Sequence, residues 1–208
     1  QILCDMNSSV IPGNLPESSR APGGMAWSIV GYLALSHMIV DAACVYAVLR
    51  LVRGLQEPFV WQIILGYNVL AFLTQAPLGW GIDRLQSSGG PAAIGVVTVG
   101  MACIVGQAAP WLTVLLAGAG NALFHVGAGS LCLRLARSRA SMPGVFVAPG
   151  DLGVLAGTLL SASGLPVRAV GMGMCMAIAL PITMMGQRID APPAPSPMIR
   201  PISMLATV

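Results

Sequence analysis

The chain has 208 residues, 56% of them hydrophobic and only 8% charged. A soluble domain is nearer a quarter charged, so this composition points to a membrane protein. The ten basic residues are all Arg, and the net charge of +3 is too small and too scattered for a nucleic-acid partner.

Residues 1–24 are polar, carry Pro12, Pro16 and Pro22, and contain no apolar stretch of the kind a signal peptide needs. They are expected to form an N-terminal arm. Six apolar segments follow, at about 27–49, 59–80, 92–109, 111–133, 145–162 and 167–186. Each approaches the length of a helix that crosses ~30 Å of hydrocarbon. Backbone groups that face lipid must be paired within their own segment, which forces helices. A β-barrel would need alternation, and these runs do not alternate. The predicted fold is all-α, a polytopic membrane protein with six transmembrane helices over residues 25–188. A Pro-rich tail follows over residues 189–208, where "APPAPSP" cannot continue a helix.

The connections carry turn chemistry. Gly54 and Pro58 separate the first two spans, and "QSSGGP" (86–91) the next two. "AAPW", "SRASMPG" and "SGLP" precede the fourth, fifth and sixth. With the N-terminus in the cytoplasm, Arg20, Arg84, Arg134, Arg137, Arg139, Arg188 and Arg200 fall on the cytoplasmic side. Only Arg50, Arg53 and Arg168 fall outside, so the positive-inside bias favours N-in, C-in. Cys44, Cys103, Cys132 and Cys175 lie in apolar runs without C-x-x-C spacing and read as small packing residues. Cys4 precedes the first span and has no assignment.

Polar groups inside the spans are few. The first span contains "SHMIVDAACVY", in which His37 and Asp41 are four apart and share a helical face. Asp at mid-membrane costs about 2.5–3.5 kcal/mol on insertion scales, so Asp41 should face a partner or a water-filled cavity. Ser36 and Tyr46 are expected to add hydroxyls nearby. The second span carries Asn68 and Gln75, read as interhelical packing bonds. The fourth span, in "GNALFHVGAG", carries Asn121 and His125, again four apart. The fifth carries Asp151 in "VAPGDLG". His37, Asp41, Asn121 and His125 are the candidate lining of a polar cavity for a proton or a substrate. Two carboxylates and two imidazoles could build a metal site, but neither H-x-x-x-H nor E-x-x-H spacing is present. No metal and no cofactor are expected. No nucleophile–base pair at catalytic spacing is visible, so an enzyme is not expected either. Gly153-x-x-x-Gly157, with Gly150 one turn earlier, forms a small-residue helix–helix interface.

Several of these stretches resemble the major facilitator superfamily. "PLGWGIDR" (77–84) is similar to its signature loop between the second and third helices, with Gly79, Asp83 and Arg84 at the motif positions. "VAPGDLGVLAG" resembles its fifth-helix Pro-Gly motif. "GNALFHVGAG" and "LSHMIVDA" resemble the fourth and first helices of its fosmidomycin-resistance-like branch. The resemblance covers residues 25–188. The family's loop usually continues into a basic stretch, whereas here it runs "LQSSGGP". The family's transporters have twelve helices in two halves, and this chain matches one half. The resemblance implies that the first and fourth helices line the cavity and that the second and fifth, with the Gly150–Gly153–Gly157 surface, face a partner.

Two functions follow. The first is small-solute transport by a dimerised half-fold, with His37 or Asp41 as the protonatable group and the halves rocking to exchange access. The alternative is a non-transporting structural or assembly subunit of a larger membrane complex. Both expect the lipid bilayer as surroundings, a homodimer or other membrane subunits as partners, and a bacterial inner (cytoplasmic) membrane as location.

Overall fold

The computed structural model describes residues 23–136, 139–163 and 167–190. Nearly all of the N-terminal arm and the Pro-rich tail lie outside these residues, as do Cys4, Arg20, Arg137 and Arg200. The described elements are α1 (Gly24–Val52), α2 (Glu57–Asn68), a π-helical turn (Val69–Leu73), α3 (Gln75–Leu85) and α4 (Gly89–Val105). A 3-10 turn (Gly106–Ala108), α5 (Pro110–Ala136), α6 (Ser141–Val147), α7 (Pro149–Ala162) and α8 (Val167–Ile189) complete the order. No strand occurs among the described residues. Six helical segments are long and apolar enough to cross a membrane: Gly24–Val52, Glu57–Leu85, Gly89–Ala108, Pro110–Ala136, Ser141–Ala162 and Gly171–Ile189. The protein is an all-α integral membrane protein.

Two spans are interrupted where proline dictates. Pro77 has no N–H, and its ring collides with the carbonyl one turn back, so the second span takes a π-turn just before it. The side chains of Thr74 and Gln75 donate back to the Leu70 and Ala71 carbonyls that this turn disturbs. Asn68 likewise donates to the Ile64 carbonyl at 2.7 Å. The interhelical bonds expected of Asn68 and Gln75 are therefore bonds within their own helix. In the fifth span α6 gives way to α7 at Pro149, which occupies the first turn of the new helix.

"PLGWGIDR" is helical throughout, and the loop proper is only 86–88. Gln86 ends α3 in the left-handed region at φ 52°, and its amide donates to the Asp83 carbonyl at 2.7 Å. Gly89, Gly90 and Pro91, expected as turn, open α4 instead. Arg84 stacks over the Trp80 ring at 3.7 Å. Gly79 lies against Val126 of α5, and Asp83 is exposed.

Glycine sets the helix–helix distances. A Cβ placed on Gly95 of α4 would lie 2.5 Å from the Phe124 nitrogen of α5. One on Gly127 of α5 would lie 2.6 Å from the Ala92 nitrogen of α4. Gly153 and Gly157 of α7 sit against the Met38 and Ala42 carbonyls of α1. This corrects the expectation for the Gly150–Gly153–Gly157 surface: it is buried inside the bundle against α1 and is not offered to a partner. The small-x-x-x-small pattern specifies a close approach but not which neighbour makes it. Tightly held, α1 touches α4, α5, α6, α7 and α8. The first and fourth spans are more than half buried, and the second hardly at all.

The ends are tied by polar contacts that follow an up-and-down order. At one end Gln107 donates to the Arg50 carbonyl at 3.0 Å, and Arg53 donates to Ser161 at 3.4 Å. At the other end the Asp190 carboxylate, just past α8, accepts from the backbone N–H groups of Ser88 (2.6 Å) and Gly89 (3.2 Å). It also pairs with Arg134 of α5 at 3.1 Å. One carboxylate thus caps α4 from another helix and neutralises a third. Asp190→Ala is expected to lower stability by about 1–3 kcal/mol, the lost cap plus an abandoned Arg134. Asp190→Asn keeps an acceptor for the cap and should lose less. Melting temperatures of the two variants in detergent check the order.

Candidate functional site

His37 and Asp41 occupy successive turns of α1, and Asn121 and His125 successive turns of α5. The two helices cross so that three of these side chains converge. His37 Nε2 lies 3.1 Å from Asp41 Oδ2 and 2.8 Å from His125 Nε2. His125 Nε2 is 3.6 Å from Asp41 Oδ1. The donor atoms of His37, Asp41 and His125 all lie within 4.8 Å of one another.

The remaining ring nitrogens decide the protonation pattern. His37 Nδ1–H donates to the Phe146 carbonyl at 2.9 Å. His125 Nδ1–H donates to the Asn121 carbonyl at 2.9 Å. A carbonyl only accepts, so each Nδ1 must carry a hydrogen, and each neutral ring then presents a bare lone pair at Nε2. Two lone pairs and a carboxylate therefore point at one small, mostly buried volume. Such a group needs a hydrogen-bond donor or a positive charge between its members: a water from the cavity, a proton or a metal ion.

Neighbouring elements build the walls. Phe146, at the end of α6, stacks on the His37 ring with centroids 4.9 Å apart. Phe124 meets His125 edge-on at 5.6 Å. Directly beyond the break at Pro149, Gly150 brings α7 over the cluster: a Cβ there would lie 2.8 Å from Asp41 Oδ2 and from His37 Nε2. Asn121 itself is buried, and its Oδ1 lies 3.6 Å from the Cys44 thiol, which donates to it. On the side facing the second span a cavity of about 240 Å³ opens, lined by Asp41, Tyr67, Asn68, Asn121 and His125. Phe72 and Val154, both exposed, rim its mouth.

His37, Asp41, Asn121 and His125 are thus one constellation. Ser36 does not join it, since its hydroxyl donates to the Tyr32 carbonyl. Tyr46 does not either, and lines a separate apolar cavity with Met38 and Cys103. Gly79, Asp83 and Arg84 lie at the far end of the second span. Asp151 is exposed in the first turn of α7, next to Gly150. Sequence reasoning missed Phe146, Tyr67 and the covering role of Gly150. Only the Pro149-Gly150 pair hinted at a break bringing backbone close. The four buried cysteines are free thiols, in keeping with packing roles.

No family model matches the chain, and no curated protein or solved structure matches it.

Proposed function

We propose that this chain is a transporter-like six-helix bundle of a bacterial cytoplasmic membrane that moves a small solute as one half of a homodimer. The observation that carries this reading is the ionisable cluster of His37, Asp41 and His125 at the wall of the 240 Å³ cavity. Intramembrane ionisable groups are costly, and where they persist they mark solute and ion pathways. A purely structural pair would be closed off, whereas Asp41 and His125 reach the cavity surface.

Asp151 supports the same reading. It lies about 15 Å along the fifth span at helical rise and is exposed. In lipid it would cost about 2.5–3.5 kcal/mol, so this face meets water or protein instead. The cavity mouth opens on the second and fifth spans, which are among the least buried. A second copy set across that mouth supplies the missing wall, and the rocking of two bundles about a central site then gives alternating access. The major-facilitator resemblance, with Gly79, Asp83 and Arg84 at the end of the second span, agrees with such a half. It also agrees with an N-in, C-in orientation.

Purification in mild detergent with mass measurement by light scattering tests the proposal. The expected particle has twice the 21.3 kDa chain mass and restores solute flux in proteoliposomes. A stoichiometric set of other chains, with no flux, would replace it with the assembly-subunit reading.

A further inference from the structure

We propose that His37, Asp41 and His125 form a binding site for a divalent transition-metal ion of the zinc, cobalt and nickel class. The inference deepens the transport reading and rests on it only for the ion being the cargo.

Three observations carry it. First, the donors converge from two helices: two imidazole nitrogens and a carboxylate within 4.8 Å of one another. Second, both rings are oriented as metal-binding imidazoles are. Each gives its Nδ1–H to a backbone carbonyl, Phe146 for His37 and Asn121 for His125, which aims the Nε2 lone pair at the common centre. Third, the surroundings are those of an open metal site. Phe124 and Phe146 form a dry wall behind the imidazoles, and the cavity in front leaves coordination positions free for water or another ligand.

The donor set selects the ion. Magnesium and calcium take all-oxygen shells, whereas imidazole nitrogen with carboxylate suits borderline first-row ions. Metal–nitrogen bonds of about 2.0–2.1 Å at a tetrahedral angle set the two nitrogens about 3.3 Å apart. They are 2.8 Å apart now, and the His125–Asp41 gap is 3.6 Å. A small outward swing of His125, the more exposed of the two rings, therefore admits the ion. The absence of a side chain at Gly150 leaves Asp41 Oδ2 free to turn toward it.

The test uses the full chain in detergent, stripped with chelator and titrated with Co²⁺. The expected result is visible absorption of a low-coordinate cobalt centre, one ion per chain, abolished by added Zn²⁺. Losing a group that only holds a metal ligand in place costs about 10–100-fold in affinity, so His37→Gln and His125→Gln should each weaken Co²⁺ binding by more than about 100-fold. Glu57→Gln, at the start of α2, should leave it unchanged. Melting of the unaltered protein needs no variant: Zn²⁺ should raise Tm and Mg²⁺ should not. Absence of a cobalt spectrum, a spectrum that survives both His substitutions, or equal responses to Zn²⁺ and Mg²⁺ would overturn the site. Flux in proteoliposomes separates this from the transport reading. Metal binding without flux of any solute removes transport and leaves the site. Flux of another solute by a chain that binds no metal removes the site and leaves transport.

Discussion

Gly153→Val is expected to produce the largest loss of stability of any single substitution on α7. A Cβ at Gly153 would press on the Met38 carbonyl and lie 3.1 Å from Asp41 Cβ. The neighbour that would have to move is α1, and α1 is held by α4, α5, α6 and α8 as well. Overpacking commonly costs about 1–3 kcal/mol where the surroundings can shift, and here the colliding atoms are backbone, which places the change at or above the upper end. Gly157→Val repeats the collision one turn on, where the Cβ would meet Val45 Cβ at 2.9 Å. Gly31 and Gly173 have nothing within 4 Å of an added Cβ. Alanine at either should be neutral or stabilising by up to about 1 kcal/mol, because only helix propensity changes. Thermal unfolding followed by size-exclusion elution in detergent measures all four. If Gly153→Val melted with the unaltered protein, the α1–α7 packing described above would be wrong.

The six spans were legible because lipid leaves the backbone no alternative to helix, so length and hydropathy suffice. Their interruptions were less so. Pro77 stands in plain view, but whether a span answers with a kink, a stop or a π-turn depends on which carbonyls can be rescued, here by Thr74 and Gln75. Half of the site was legible, since four-residue spacing puts His37 with Asp41 and Asn121 with His125. What joins the two pairs is a crossing between α1 and α5, and periodicity within one helix carries no information about that. Ligand spacing along one helix has the same limit: His125, which meets His37 and Asp41, comes from a helix more than eighty positions further on. Gly150, Gly153 and Gly157 mark an interface in the sequence, but small-residue spacing does not say that α1 is the helix they meet.

Asp41→Asn is expected to fold and to lose function. In the intact cluster Asp41 Oδ2 lies 3.1 Å from His37 Nε2, and the Nε2 atoms of His37 and His125 are 2.8 Å apart. An amide keeps the size of the side chain and can donate an N–H to the His37 lone pair from the place of Oδ2, 3.1 Å away. Local satisfaction survives, so assembly and melting should stay close to those of the unaltered protein. The site, however, no longer offers an anion to a cation entering from the cavity. Solute flux should fall by more than about 100-fold, beyond the ~10–100-fold that losing a group which only supports a metal ligand costs. Asp41→Leu removes charge and hydrogen bond together. The lone pairs are then left facing apolar atoms, and the loss should be about 1–3 kcal/mol of stability besides the function. His125→Ala should resemble Asp41→Asn in flux, because His125 reaches the cavity and its removal takes away one of the two imidazoles. Paired measurements of flux in proteoliposomes and Tm in detergent separate the cases. A bundle serving only as scaffold would show the opposite pattern, with Asp41→Asn silent in every assay and Asp41→Leu altering stability alone.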